Sequence, residues 1–267
     1  DNINLLIDCV RSIRKHSYKS RYEIIVLDNQ SKDPQTINWL KKSEEAGLIT
    51  CIKCDFAFNW SKLNNVGIES ANGNVMLLLN NDTLVITPDW LDRLAALALE
   101  ENVGVVGPLL LYPDGCIQHA GVVVGYGGFA DHVYLGEPVS NRKDESFISP
   151  LVRRDVSACT GACQVFTKKT YQEIGPFNER LLITGDIEFC IRALNKGFRN
   201  IYDPSVSLYH LESTTRKKGL GKEEKLELKS CLGELTVLDD MYFNHNLSRS
   251  SRSPMFALLK QLDAKAG

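Results

Sequence analysis

Short unbroken apolar runs, separated by stretches of helical periodicity, set the pattern of this chain. Glu23-Ile24-Ile25-Val26-Leu27 and Val75-Met76-Leu77-Leu78-Leu79 lack polar alternation, as do strands covered on both faces in a parallel sheet. Leu5, Leu6, Cys9, Val10 and Ile13 fall on one face of a helix over residues 4–14. Further helices are predicted over 35–45, 59–70, 89–99 and 223–238, and strands over 48–54, 103–112 and 200–210. This alternation predicts an α/β domain, a mostly parallel central sheet flanked by helices, with Val75 to Leu79 as a central strand.

Both buried runs end in polar clusters, Asp28-Asn29-Gln30-Ser31-Lys32-Asp33 and Asn80-Asn81-Asp82. Ligands of open α/β sheets bind outside the carboxyl ends of strands. The same residues also suit plain turns, and Asp33 suits a helix cap. Thr87-Pro88-Asp89 reads as a helix start, with Thr87 as N-cap and Pro88 at the first helical position. Gly185-Asp186-Ile187-Glu188 opens another helix, where a carboxylate in the first turn complements the helix dipole. The strand over 200–210 ends in His210, a residue type more often structural than ligating.

Several motifs point together to a family. Asn59-Trp60-Ser61-Lys62-Leu63-Asn64-Asn65-Val66-Gly67, the run from Val75 through Asp82, Gly175-Pro176-Phe177-Asn178-Glu179, Gly185-Asp186-Ile187-Glu188-Phe189-Cys190-Ile191-Arg192 and Tyr209-His210-Leu211-Glu212-Ser213 resemble family 2 glycosyltransferases. Leu110 through Gly121, LLYPDGCIQHAG, and Asp240 through Ser248 resemble the polysaccharide-building, rhamnosyltransferase-like branch. The resemblance implies the GT-A fold, which is Rossmann-like and typical of nucleotide-diphospho-sugar transferases. It also implies an inverting transfer from a UDP- or dTDP-sugar to a hydroxyl of a growing bacterial cell-surface glycan or lipid-linked glycan.

Carried over residue by residue, the resemblance places Asn80-Asn81-Asp82 at the family's Asp-x-Asp metal motif. Asp82 and His210 then face Mg²⁺ or Mn²⁺, Asp28 meets the nucleobase, and Asn29, Asn64, Asn80 and Asn81 lie on the nucleotide side. Asp186 takes the place of the catalytic base and Glu188 that of the accompanying acid. Residues 156–166 border the sugar site in the family, and Gly125 to Gly128 reads as a mobile loop near the acceptor. The chain departs from the pattern at Gln30, usually Gly, at Asn80, usually Asp, and at Leu211, usually His. Relatives place a buried strand before the first helix, so the chain reads as part of a longer protein.

Bulk properties narrow the partners. Its 267 residues, 43% apolar and 24% charged, fit one principal domain, residues 1–221, followed by a C-terminal helix and tail, 222–267. A net charge of -2 gives no basic signature for nucleic acid. Eight cysteines, mostly inside apolar runs, suit a reducing cytoplasm, and Cys51-Ile52-Lys53-Cys54 reads as structural. No run approaches the length of a membrane span, so a soluble or peripheral protein, at most touching the inner membrane face, is expected. The charged run 217–225 reads as a solvated loop. Two rivals remain: an inactive nucleotide-sugar or glycan-binding domain, and a nucleotidyltransferase, against which stands the lack of a Gly-rich triphosphate loop.

Overall fold

The computed structural model describes residues 2–17, 19–126, 130–139, 149–211, 221–232 and 240–248. The chain runs α1 (Ile3–His16), β1 (Ile25–Asp28), α2 (Pro34–Glu45), β2 (Thr50–Lys53), α3 (Trp60–Ser70), β3 (Val75–Leu79), β4 (Thr83–Val85), α4 (Trp90–Ala98) and β5 (Val103–Leu111). It continues through β6 (Ile117–His119), β7 (Val122–Val124), β8 (Ala130–His132), β9 (Arg154–Asp155), β10 (Cys163–Thr167), α5 (Lys168–Ile174), α6 (Gly185–Asn195), β11 (Arg199–His210) and α7 (Lys222–Leu232).

Among the described residues a seven-stranded sheet forms the centre, ordered β3-β10-β5-β11-β4, with β6 added to β5 and β9 to β11. One apolar layer packs Ile68, Phe166, Tyr171, Phe177 and Phe189 from the side of α3, α5 and α6. The opposite layer packs Trp90, Leu94 and Leu97 of α4 against Val106, Val165 and Ile201. Burial pushes the thiols of Cys159, Cys163 and Cys190 well up. These cysteines therefore act as small core hydrophobes.

The α/β layering agrees with the sequence pattern, but the sheet is mixed. β5 and β11 run parallel, whereas β10 is antiparallel to both β3 and β5, and β11 to β4. β3, expected at the centre, is an edge of this sheet among the described residues, where it pairs with β10 alone. β1 and β2 form their own parallel pair. The apolar run still has both faces covered: Met76 and Leu78 enter one layer, while Val75, Leu77 and Leu79 pack on the other.

Helix starts differ in one place. The Thr87 hydroxyl bonds Ser207 across the strands, and α4 begins after Asp89, which takes φ 56 as its N-cap. A long-range partner thus removed Thr87 from capping. Asp33, by contrast, caps α2 through the N–H groups of Gln35 and Thr36. The hydroxyl and N–H of Thr36 hold its carboxyl below the usual range. Of the Gly125 to Gly128 loop, Tyr126 is buried against Phe243, and Gly127 and Gly128 lie outside the described residues. Residues 217–220 and 233–238 of the expected C-terminal loop and helix also lie outside them. α7 packs Leu228 beside Leu181 and Ile191, against α6 and the segment before it.

Candidate functional site

Where β3 leaves the sheet, the chain turns sharply into β4. The Asn80 carbonyl accepts from the backbone N–H of Thr83 at 3.3 Å and its hydroxyl at 2.8 Å, so Asn81 and Asp82 occupy the turn. Leu211 N–H donates to the Asp82 carbonyl at 2.8 Å, which brings the end of β11 alongside. As a result His210 Nε2 lies 3.1 Å from Asp82 Oδ1 and 3.3 Å from Asn80 Nδ2. Asp82 and His210 are both mostly buried, their side chains 12% and 13% exposed. Asn81 is exposed.

Asp186 sits in the first turn of α6, half-buried. Its Oδ2 accepts from Gly161 N–H at 2.7 Å and its Oδ1 from Ile187 N–H at 2.9 Å. The next residue, Ala162, accepts from Asn80 N–H at 3.0 Å. The segment 160–162 therefore bridges the Asn80 turn and the Asp186 carboxylate through backbone bonds. Only glycine fits the two close approaches here. A Cβ at Gly161 would overlap the Trp60 ring, and one at Gly185 the Ser61 hydroxyl.

The loop before α6 is clamped from two sides. Asn59 Nδ2 and Ser61 Oγ donate to the carbonyls of Glu179 and Leu181, each at 2.6 Å. Asn65, buried, bonds the backbone of Phe177, the Tyr171 hydroxyl and Glu179. From the other side, Glu224 of α7 accepts from the N–H groups of Leu182, Ile183 and Thr184 and from the Thr184 hydroxyl. Burial opposes its charge, yet the bonds from Ile183, Thr184 and Leu182 outweigh that and lower its pKa from 4.5.

The remaining sequence-predicted residues have local work. Glu188 lies about 200° around the helix from Asp186 and holds Arg192 through two bonds of 2.8 and 2.9 Å. Arg192 in turn donates to the carbonyls of Ile174 and Pro176. Asn64 bonds back to the Trp60 carbonyl within α3. Asn29 donates to the carbonyls of Cys54 and Phe56, and Asp28 accepts from Ser31 N–H at 3.0 Å. Gln30, where the resembling family has Gly, takes φ 63. That left-handed conformation explains the preference for glycine.

A divalent cation fits the first cluster on the chemistry of its donors. Mg²⁺ binds oxygen ligands at about 2.0–2.1 Å with near-octahedral geometry, so two adjacent ligands stand roughly 3 Å apart. Asp82 Oδ1 and His210 Nε2, 3.1 Å apart, are close enough to ligate one ion, the carboxylate supplying the oxygen such ions prefer and the imidazole a nitrogen. Among the described residues no group of three His, Cys, Asp or Glu gathers. Such ions commonly use one or two protein ligands and complete their shell with substrate phosphates and water. Gln118 and Glu224 were missed by sequence reasoning. Gln118 stands inside the LLYPDGCIQHAG motif, and Glu224 inside a charged run whose solvated reading hid it.

Comparison with known proteins adds a family. The model of "Glycosyl transferase family 2" matches residues 2–175. The chain is 33% identical over 261 residues to "Uncharacterized protein y4gI" of Sinorhizobium fredii, covering 97% of the chain and 28% of that protein. It is 33% identical over 218 residues to "O-antigen biosynthesis protein RfbC" of Myxococcus xanthus, covering 81% and 17%. The chain thus spans less than a third of either relative. Among solved structures, GalNAc-T7 with UDP, GalNAc and Mn²⁺ superposes with a TM-score of 0.66 at 15% identity, covering 87% of the chain and 46% of that one.

Proposed function

The chain belongs to glycosyl transferase family 2 and has the GT-A fold, and on that premise we propose that it transfers a sugar from a nucleotide-diphosphate sugar to a hydroxyl of a growing surface polysaccharide. The observation that carries this is the convergence of Asp82 and His210 at the strand ends, bridged through 160–162 to the Asp186 carboxylate. Asp82 and His210 would hold Mg²⁺ or Mn²⁺, which when bound neutralises charge on the leaving diphosphate. Relatedness to an O-antigen biosynthesis protein supports a polysaccharide acceptor, and UDP with Mn²⁺ in the GalNAc-T7 structure supports a UDP- or dTDP-sugar donor.

In this reading Asp186 is the general base. It takes the proton of the acceptor hydroxyl while that oxygen bonds the anomeric carbon, and the bond to the diphosphate breaks on the opposite face, giving inversion. Gly161 N–H and the first turn of α6 fix the carboxylate's orientation. Glu188, committed to Arg192, holds the helix rather than the substrate. Asp28 would accept from the imide N–H of a pyrimidine, with Asn29 shaping its loop, and Asn64, Asn80 and Asn81 would line the nucleotide side. The domain would work in the cytoplasm or at the inner membrane face, as the 1–221 body and 222–267 extension of a longer chain. Among the described residues no helix is long and apolar enough to cross a membrane.

One observation favours a binding domain without turnover. Asn80 Nδ2 lies 3.3 Å from His210 Nε2, where the family pattern has a second carboxylate. Transfer assays with UDP- and dTDP-sugars, Mn²⁺ and a lipid-linked glycan separate the two readings. Sugar transfer lost in Asp186→Asn supports the enzyme, whereas donor binding without transfer in the unmutated protein supports the binder.

A further inference from the structure

β6 carries one residue more than the strand it pairs with. Leu110 stands opposite His119 and Leu111 opposite Ile117, which leaves Gln118 as the extra residue of a bulge. A bulge re-aims its side chain, and Gln118, 6% exposed, meets the last residue of β11. Its Oε1 lies 2.6 Å from His210 Nδ1, and its Nε2 donates to the His210 carbonyl at 3.4 Å.

Two contacts with one residue fix the sense of the amide. The carbonyl of His210 requires the Gln118 nitrogen, so the Gln118 oxygen faces the ring. An amide oxygen only accepts, so this contact places a proton on Nδ1 and leaves Nε2 as the nitrogen able to take a metal ion. Nε2 lies 3.1 Å from Asp82 Oδ1 and 3.3 Å from Asn80 Nδ2. Asn80 can donate to it. The Asp82 carboxylate only accepts, so its contact with Nε2 is filled either by a proton on the ring or by a metal ion that both atoms ligate.

We propose that Gln118 is a positioning residue, which sets the tautomer and ring orientation of His210 so that Nε2 and Asp82 present a ready ligand pair to a divalent cation. The inference rests on the metal reading of Asp82 and His210. A metal-bound histidine is generally held by a partner on its other nitrogen, and loss of such a partner weakens metal affinity by about 10–100-fold.

The test measures His210 directly in metal-free protein, by ¹⁵N shifts of labelled histidine assigned with His210→Gln. The unmutated protein should show the Nδ1–H tautomer. Gln118→Met keeps the length of the side chain without its acceptor, so it should give a mixture and lower Mn²⁺ affinity, measured with UDP present, by about 10–100-fold. Gln118→Glu restores an acceptor and should restore both readouts. An Nε2–H tautomer in the unmutated protein overturns the proposal, as does Gln118→Met with tautomer and Mn²⁺ affinity both unchanged. If the tautomer shifts as expected while even the unmutated protein binds no Mn²⁺, the hold of Gln118 on His210 stands and the metal reading alone fails.

Discussion

Replacing Asp186 by Asn removes a basic oxygen and little else, yet the surroundings give the change a second, smaller consequence. Both carboxylate oxygens accept backbone N–H groups, from Gly161 and Ile187, and the amide can accept only one of them. The other donor then faces an NH₂ group. Leaving one partly buried N–H without its acceptor costs about 1–3 kcal/mol. At roughly 2–4 °C per kcal/mol for a domain of this size, melting should fall by several degrees. Loss of a positioned base costs about 10²–10⁴-fold in rate, or roughly 2.7–5.4 kcal/mol at 1.36 kcal/mol per decade. Catalysis should therefore fall by more than stability does. Transfer rate at saturating donor and Mn²⁺, well below the melting midpoint, reads the first quantity, and calorimetric melting reads the second. Wild-type transfer in Asp186→Asn would refute the role. Loss of rate only in proportion to loss of folded protein would leave Asp186 a helix cap.

Glu188→Gln breaks the two-bond pair with Arg192 and should lower stability by about 1–3 kcal/mol, seen as an earlier denaturant midpoint, while the folded protein still transfers sugar. Gly161→Ala places a methyl group into the Trp60 ring; a lower melting temperature and slower transfer are expected together, and an unchanged melt would contradict the packing. Glu224→Ala strips the acceptor from three N–H groups ahead of α6, an expected loss of about 1–3 kcal/mol by chemical denaturation. Because folding lowers the Glu224 pKa below 4.5, its contribution is fully present above that pH and disappears as pH falls through the folded value. The gap between wild type and Glu224→Ala should thus close in acid; a gap that widens would reverse the sign.

The layered α/β body was legible because apolar runs and helical periodicity are local signals. Boundaries came within a few residues at α2, α3, β5 and β11. The position of β3 was not legible, since an apolar run reports burial on two faces and not which edges are paired. Thr87 failed as a cap for a similar reason: its partner, Ser207, lies 120 positions away. The candidate site followed the same division. Asp82, Asp186 and His210 end or begin elements and could be named from motifs. Gln118 owes its place to a bulge and Glu224 to the docking of α7, and neither leaves a pattern in sequence. A hint of the turn at Gln30 was visible as a departure from glycine.

The central claim is that this domain activates a nucleotide-diphosphate sugar at Asp82 and His210, and slow donor hydrolysis in the absence of acceptor tests it most directly. Release of nucleoside diphosphate from UDP- and dTDP-sugars should be followed with Mn²⁺, with chelator, and in Asp82→Ala. The account predicts release from at least one donor, dependent on Mn²⁺ and abolished by Asp82→Ala while the thermal transition stays near wild type. Release that is unaffected by chelator and by Asp82→Ala, or donor binding with no release at all, would contradict it.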